Sequence, residues 1–113
     1  MNGRTSFAAY LAATRYHAVD HIMTQARVAN RLAKIVTGPD QRRLYALKCG
    51  LISRALELAP ERVVVDFIDR QGLIGIENVG NGVRLHAPAP QLTPRAQAAV
   101  LAQIARRVGL AAA

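Results

Sequence analysis

The sequence has no tryptophan, a single cysteine and only five aromatic residues, Phe7, Tyr10, Tyr16, Tyr45 and Phe67, in a chain of 113. So few aromatic faces argue against a base-stacking platform of the kind single-strand binders use. A lone Cys49 excludes an internal disulfide. Its neighbours Leu47 and Leu51 mark it as a small buried hydrophobe. No apolar run approaches the ~20 residues of a membrane span, and a membrane partner is not expected. The N-terminal stretch MNGRTSFAAYLAA holds one arginine and a short apolar segment. Tyr16, His17, Asp20 and His21 follow without a cleavage pattern, so a signal peptide is not expected and a cytoplasmic location is. Acidic residues are scarce too. Seven Asp and Glu stand against 15 Lys and Arg, a formal net charge of +8, and all the basic residues except Lys34 and Lys48 are arginine.

What is present is enough for one packed domain spanning residues 1–113. The length suits a single domain, and 51% hydrophobic residues, mostly Ala, Leu, Val and Ile, can form a core. The charge is uneven. Residues 1–60 carry nine basic and three acidic groups, and residues 61–113 carry six and four. A basic surface attracts nucleic acid, acidic protein or anionic membrane; an Ala- and Arg-rich composition is also what a GC-rich genome produces.

Three helices are expected. Residues 5–36 carry Phe7, Leu11, Ala18, Ile22, Ala26, Ala29, Ala33 and Val36 at helical spacing, with Thr5 or Ser6 as cap and Gly38-Pro39 as stop. Such a helix would be ~45 Å long, so a break near Tyr16–Asp20 is anticipated. Residues 39–58 follow, with Pro39 and Asp40 suited to the first turn. Leu44, Leu47, Leu51, Ala55 and Leu58 form one stripe, and Tyr45, Cys49, Ile52 and Leu56 an adjacent one, which makes this helix central. Residues 92–108 form the last helix, capped by Thr93 with Pro94 in its first turn, and line Val100, Leu101, Ile104 and Val108 on one side.

The stretch between the second and third helices, ERVVVDFIDRQGLIGIENVGNGVRLHAP, admits two readings. Val63, Val64 and Val65 are β-branched and favour strand. Asp69–Gly72 suits a tight turn in which Gly72 supplies positive φ, and Gly80-Asn81-Gly82 signals a hairpin. This gives strands within 62–87, a three-stranded antiparallel meander or hairpin, and hence an α+β fold. The alternative rests on Gly72-Leu73-Ile74 followed by Gly80-Asn81-Gly82-Val83-Arg84. In that order these residues resemble the end of a winged helix-turn-helix domain over about a quarter of the chain. The resemblance implies a recognition helix at 60–71, with 39–58 supporting it. Two features depart from the pattern: the valine triplet, and three acids (Glu61, Asp66, Asp69) on a helix that would face phosphates.

Arg27, Arg31 and Lys34 recur at i, i+4 and i+7 without interleaved acids. If the first two helices pack antiparallel, Arg42 and Arg43 flank the same turn, making one phosphate-binding patch. Arg54 and Arg84 are secondary candidates. Against this stands a purely solvated polar face. His17 and His21, at i and i+4, could hold a metal only with a third ligand, so no metal and no cofactor is expected. Ser6 and Ser53 read as a cap and a helix-surface residue. Asp66 and Asp69, as strand residues, point apart. The glycines at 72, 75, 80 and 82 precede no helix. No enzyme is expected.

The expected function is therefore binding: a small basic protein acting on nucleic acid or a nucleoprotein complex through its arginine-rich helical surface, as a DNA-binding regulator would. A compact chain without catalytic groups also fits a protein–protein inhibitor or adaptor, for example an anti-CRISPR-like anti-defence protein of a phage or mobile element. Its contact surface would be the edge Ile76–Leu85 or the Ala-rich first helix, and the same surfaces suit a homodimer.

Overall fold

The computed structural model describes residues 3–64, 72–79, 82–86 and 92–107. Helix α1 spans Gly3–Ala33 and helix α2 Pro39–Leu58. A 3-10 turn, Pro60–Arg62, follows α2. Strands β1 (Gly75–Val79) and β2 (Gly82–His86) form a ribbon, and helix α3 spans Pro94–Arg107.

No glycine or proline lies between Gly3 and Gly38, so nothing local interrupts α1, and it runs unbroken through Tyr16–Asp20. The helix also starts ahead of Thr5 and Ser6, which are therefore not its caps. Thr14 and Thr24 donate their hydroxyls to the carbonyls of Tyr10 and Asp20 one turn back, which accommodates both threonines inside the helix. The turn to α2 is made at Gly38, whose φ of 71° is open to glycine at little cost. Pro39 then takes the first turn of α2. Gln41 reaches back across the turn and donates its amide to the Ala33 carbonyl at 2.8 Å, satisfying one of the acceptors that the end of α1 leaves open.

The helices α1 and α2 pack antiparallel along a seam of small residues. Ala26, Ala29 and Ala33 are buried there, and their short side chains let the two backbones approach closely. On its other side α2 packs against α3 through Ile52, Ala55 and Leu56 against Ala96, Val100 and Ile104. Val19 and Met23 of α1, Val63, Leu73, Ile74 and Leu92 complete the same core. The sequence is right that α2 is central and that Cys49 is buried. Ser53 is also buried, contrary to its reading as a surface residue, and accepts the Thr93 backbone N–H. Thr93 caps α3 as expected. Its hydroxyl accepts from the Ala96 N–H and donates to Glu57, so the same cap ties α3 to α2.

The fold class is a correction. The described residues are predominantly helical and only two strands pair among them, so the α+β fold built on a three-stranded meander is not what the structure shows. The stretch expected to supply the first strand begins as a 3-10 turn. Val63 follows in extended conformation, and Gln103 of α3 donates to the carbonyls of both Pro60 and Val63 at 2.8 Å. The rest of that strand and the start of the turn expected at Asp69–Gly72 fall in 65–71, outside the described residues, with Asp66 and Asp69. The winged alternative meets the same obstacle: a recognition helix over 60–71 would have to pass through Val63, whose backbone is extended. The two later strands do pair, antiparallel, with Val79 opposite Gly82. Gly72 carries the positive φ expected of it, 73°. Among the described residues the sheet consists of these two strands. Among the described residues no helix is long and apolar enough to cross a membrane.

Candidate nucleic-acid interface

The antiparallel turn decides where the basic residues gather. Arg31 lies in the last turn of α1, Lys34 in the turn that follows, and Arg42 one turn into α2. All three are exposed at one end of the helical pair, and none forms an ion pair among the described residues. Arg31 suits the negative end of the α1 dipole, so local electrostatics stabilises it there as well.

Two of the five predicted contacts stand apart. Arg43 is about 100° around α2 from Arg42, and its guanidinium lies 3.5 Å from Asp40 in an exposed i,i+3 pair. Arg27 is half-buried and lines a groove of about 310 Å³ together with Asp20, Met23, Arg62 and Val63. It belongs to the flank of α1 rather than to its end. Of the secondary candidates, Arg54 is exposed on α2, twelve residues or about 18 Å from Arg42. Arg84 sits on β2 in register with Glu77.

Lys48 is not a surface base at all. It is 1% exposed, donates to Asn30 Oδ1 at 3.2 Å, and places its ammonium 4.9 Å from the centroid of the Tyr45 ring. Burial holds its pKa below the ordinary 10.5, and the nearby charge of Lys34 adds to the effect. Burial likewise pushes the Cys49 thiol up, which makes it a poor nucleophile.

A second charged cluster was invisible in the sequence because its members are more than forty residues apart. Arg62 forms a two-pronged pair with Asp20, at 3.0 and 2.8 Å. Arg15 and the Tyr16 hydroxyl both donate to Glu61 Oε1, at 3.1 and 3.2 Å. The Tyr16 ring is flanked by the Arg15 and Arg62 guanidinium carbons, 5.4 and 5.6 Å from its centroid. This lattice clamps the 3-10 turn onto α1.

The hydrogen bond from Arg62 holds the Asp20 carboxyl below its ordinary 3.8, opposed by partial desolvation and aided by the charges of Arg62, His17 and Arg27. A carboxylate with a depressed folded-state pKa contributes stability above its unfolded pKa and loses it as pH falls through the folded value. Asp20→Asn is therefore expected to be less stable than the parent at pH 7. The difference should shrink toward zero as pH falls below 4, as read from urea midpoints across pH 2–7.

His17 and His21 are both exposed on α1, and no group of three metal-ligating side chains occurs among the described residues. No protein-family model matches the sequence, and neither a curated protein nor a solved structure does; a phage or mobile-element origin therefore gains no support from comparison.

Proposed function

We propose that this small basic helical protein binds a polyanion, in the first instance nucleic acid, through the end of the α1–α2 pair. The observation that carries the reading is the exposure of Arg31, Lys34 and Arg42 at one turn, with no acid paired to any of them among the described residues. Two arginines and a lysine at that spacing suit successive phosphates. Guanidinium groups take them in two-pronged fashion.

Neutralising three phosphates gives a slope of about −2.7 in log affinity against log salt, so duplex binding should weaken roughly 40-fold between 50 and 200 mM salt. The variant Arg31→Glu/Lys34→Glu/Arg42→Glu should lose both the binding and the salt dependence while keeping its helical circular dichroism. A mobility shift at two salt concentrations measures this. Affinity that is flat with salt, or unchanged in the triple variant, overturns the proposal.

The second reading, a protein–protein inhibitor or adaptor, is favoured by a different observation. Phe7, Tyr10 and Leu11 are large, apolar and exposed on the first turns of α1. Retention of one specific partner from a nuclease-treated lysate, lost on Phe7→Ser/Leu11→Ser, would favour it over the polyanion reading.

A further inference from the structure

The exposed face of α1 carries a second pattern that its own fold does not use. Phe7, Leu11, Thr14, Ala18, His21, Gln25, Val28 and Leu32 are spaced alternately four and three residues apart, and every one of them is exposed. Ile35, in the turn beyond the helix, continues the series. Alternating four-and-three spacing is the seam of a left-handed coiled coil. The buried residues of α1 (Val19, Met23, Ala26, Ala29, Ala33) lie on a different face, so the core does not explain the seam.

The seam is apolar at both ends and polar in the middle. Its C-terminal part borders a groove of about 310 Å³ between α1 and α2, lined by Val28, Leu32, Leu44, Leu47 and Leu51 among others. Its N-terminal part has no neighbouring helix among the described elements; Phe7 is 64% and Leu11 52% exposed. Among the described residues, one end is an open groove and the other an exposed apolar ridge.

We propose that a second copy of this chain covers the seam, with the two α1 helices antiparallel. Antiparallel coiled coils pair the two kinds of seam position with each other. A single register then sets Phe7 against Leu32 of the other copy, Leu11 against Val28, Thr14 against Gln25 and Ala18 against His21. Apolar meets apolar at both ends, and the two amide- or hydroxyl-bearing residues meet inside. The ridge of each copy enters the groove of the other, beside Leu44 and Leu47. A parallel pair would stack ridge on ridge and leave both grooves facing solvent.

Charge selects the same orientation. In the antiparallel register the two copies of Lys34 lie 29 residues apart along the axis, about 43 Å. The two basic ends then sit well beyond the ~8 Å screening length of physiological salt. A parallel pair would bring Arg31, Lys34 and Arg42 of both copies together. The dimer does not rest on nucleic-acid binding, and it is tested without nucleic acid.

The test uses Leu11→Cys and Val28→Cys, each in the full chain with Cys49→Ala. Mixed and gently oxidised, they should form a disulfide-linked heterodimer. Neither should cross-link alone, because each position lies about 26 Å from its own copy in this register. Sedimentation of the unmodified chain should give twice 12.2 kDa, and Leu32→Glu, a substitution at an exposed site, should give the monomer with unchanged helicity. Self-cross-linking of Leu11→Cys would show a parallel pair. A monomer at tens of micromolar, or no cross-link in the mixture, would remove the proposal.

Discussion

Ile52→Ala is expected to lower the unfolding free energy by about 3–4 kcal/mol, in the upper range for a buried aliphatic side chain truncated to alanine. Ile52 has no exposed surface and lies midway along α2, the one helix that packs against both α1 and α3. Ile52 belongs to the same buried cluster as Ala26, Ala55, Ala59 and Ala96. Alanine side chains have no rotamers with which to refill a void there, so collapse is limited and the cavity term stays large. For a domain of this size the loss corresponds to a fall in Tm of roughly 10–20 °C. Urea unfolding should show a lower midpoint with an unchanged slope, and Arg54→Ala, exposed on the same helix, should stay within about 0.5 kcal/mol of the parent. A loss under 1 kcal/mol would mean that α2 is not the centre of the core.

Asn30→Leu is expected to cost about 2–3 kcal/mol at neutral pH and much less in alkali. Asn30 supplies the acceptor for the buried Lys48 ammonium, and a hydrogen bond to a charged group lost inside a protein costs on that scale. Lys48 would keep only the Tyr45 ring as a partner for its charge. Because burial lowers the folded-state pKa of Lys48, the folded protein binds fewer protons than the unfolded chain between that lowered value and 10.5. Stability therefore rises with pH across that window. Removing Asn30 deepens the depression and widens the window, so the variant should recover more of its stability on going from pH 7 to 10.5 than the parent does. The double variant Asn30→Leu/Lys48→Met removes the charge and its acceptor together. It should lie at or above the parent at pH 7, since an apolar pair of similar volume avoids the cost of desolvating an ion. Urea midpoints of the three proteins between pH 7 and 10.5 decide the matter. A variant whose deficit is constant with pH would show that Lys48 is not buried as a charge.

The basic residues illustrate how far sequence reading reaches. Arg31, Lys34 and Arg42 could be placed at one turn because helix ends are locally written: Gly38 and Pro39 stop one helix and start the next. Arg43 could not be separated from Arg42 until the turn of α2 placed it beside Asp40. Nothing in the residues around Lys48 distinguishes it from an exposed base, and only the packing of α1 against α2 buries it. Phe7 and Leu11 recur at helical spacing with Ala26 and Ala33, yet the fold buries the alanines and leaves Phe7 and Leu11 exposed. A helix with apolar residues on two faces offers the core a choice that periodicity alone does not make.

The described start of the next stretch, residues 61–64, departs from the expected strand for a related reason. Its valines favour strand, but a strand needs neighbours, and the turn at Pro60–Arg62 is clamped instead by Asp20, Glu61, Tyr16 and Gln103, whose contacts span some forty residues.

Helix positions, the Thr93 cap, the Gly72 and Gly38 turns and the excess of positive charge were written in the order of residues, because each depends on neighbours within a few positions. Which apolar face turned inward, which lysine lost its water, and how the chain turns at Pro60–Arg62 were settled by contacts between distant segments. Burial is a property of the assembled surface and not of any short window of the chain.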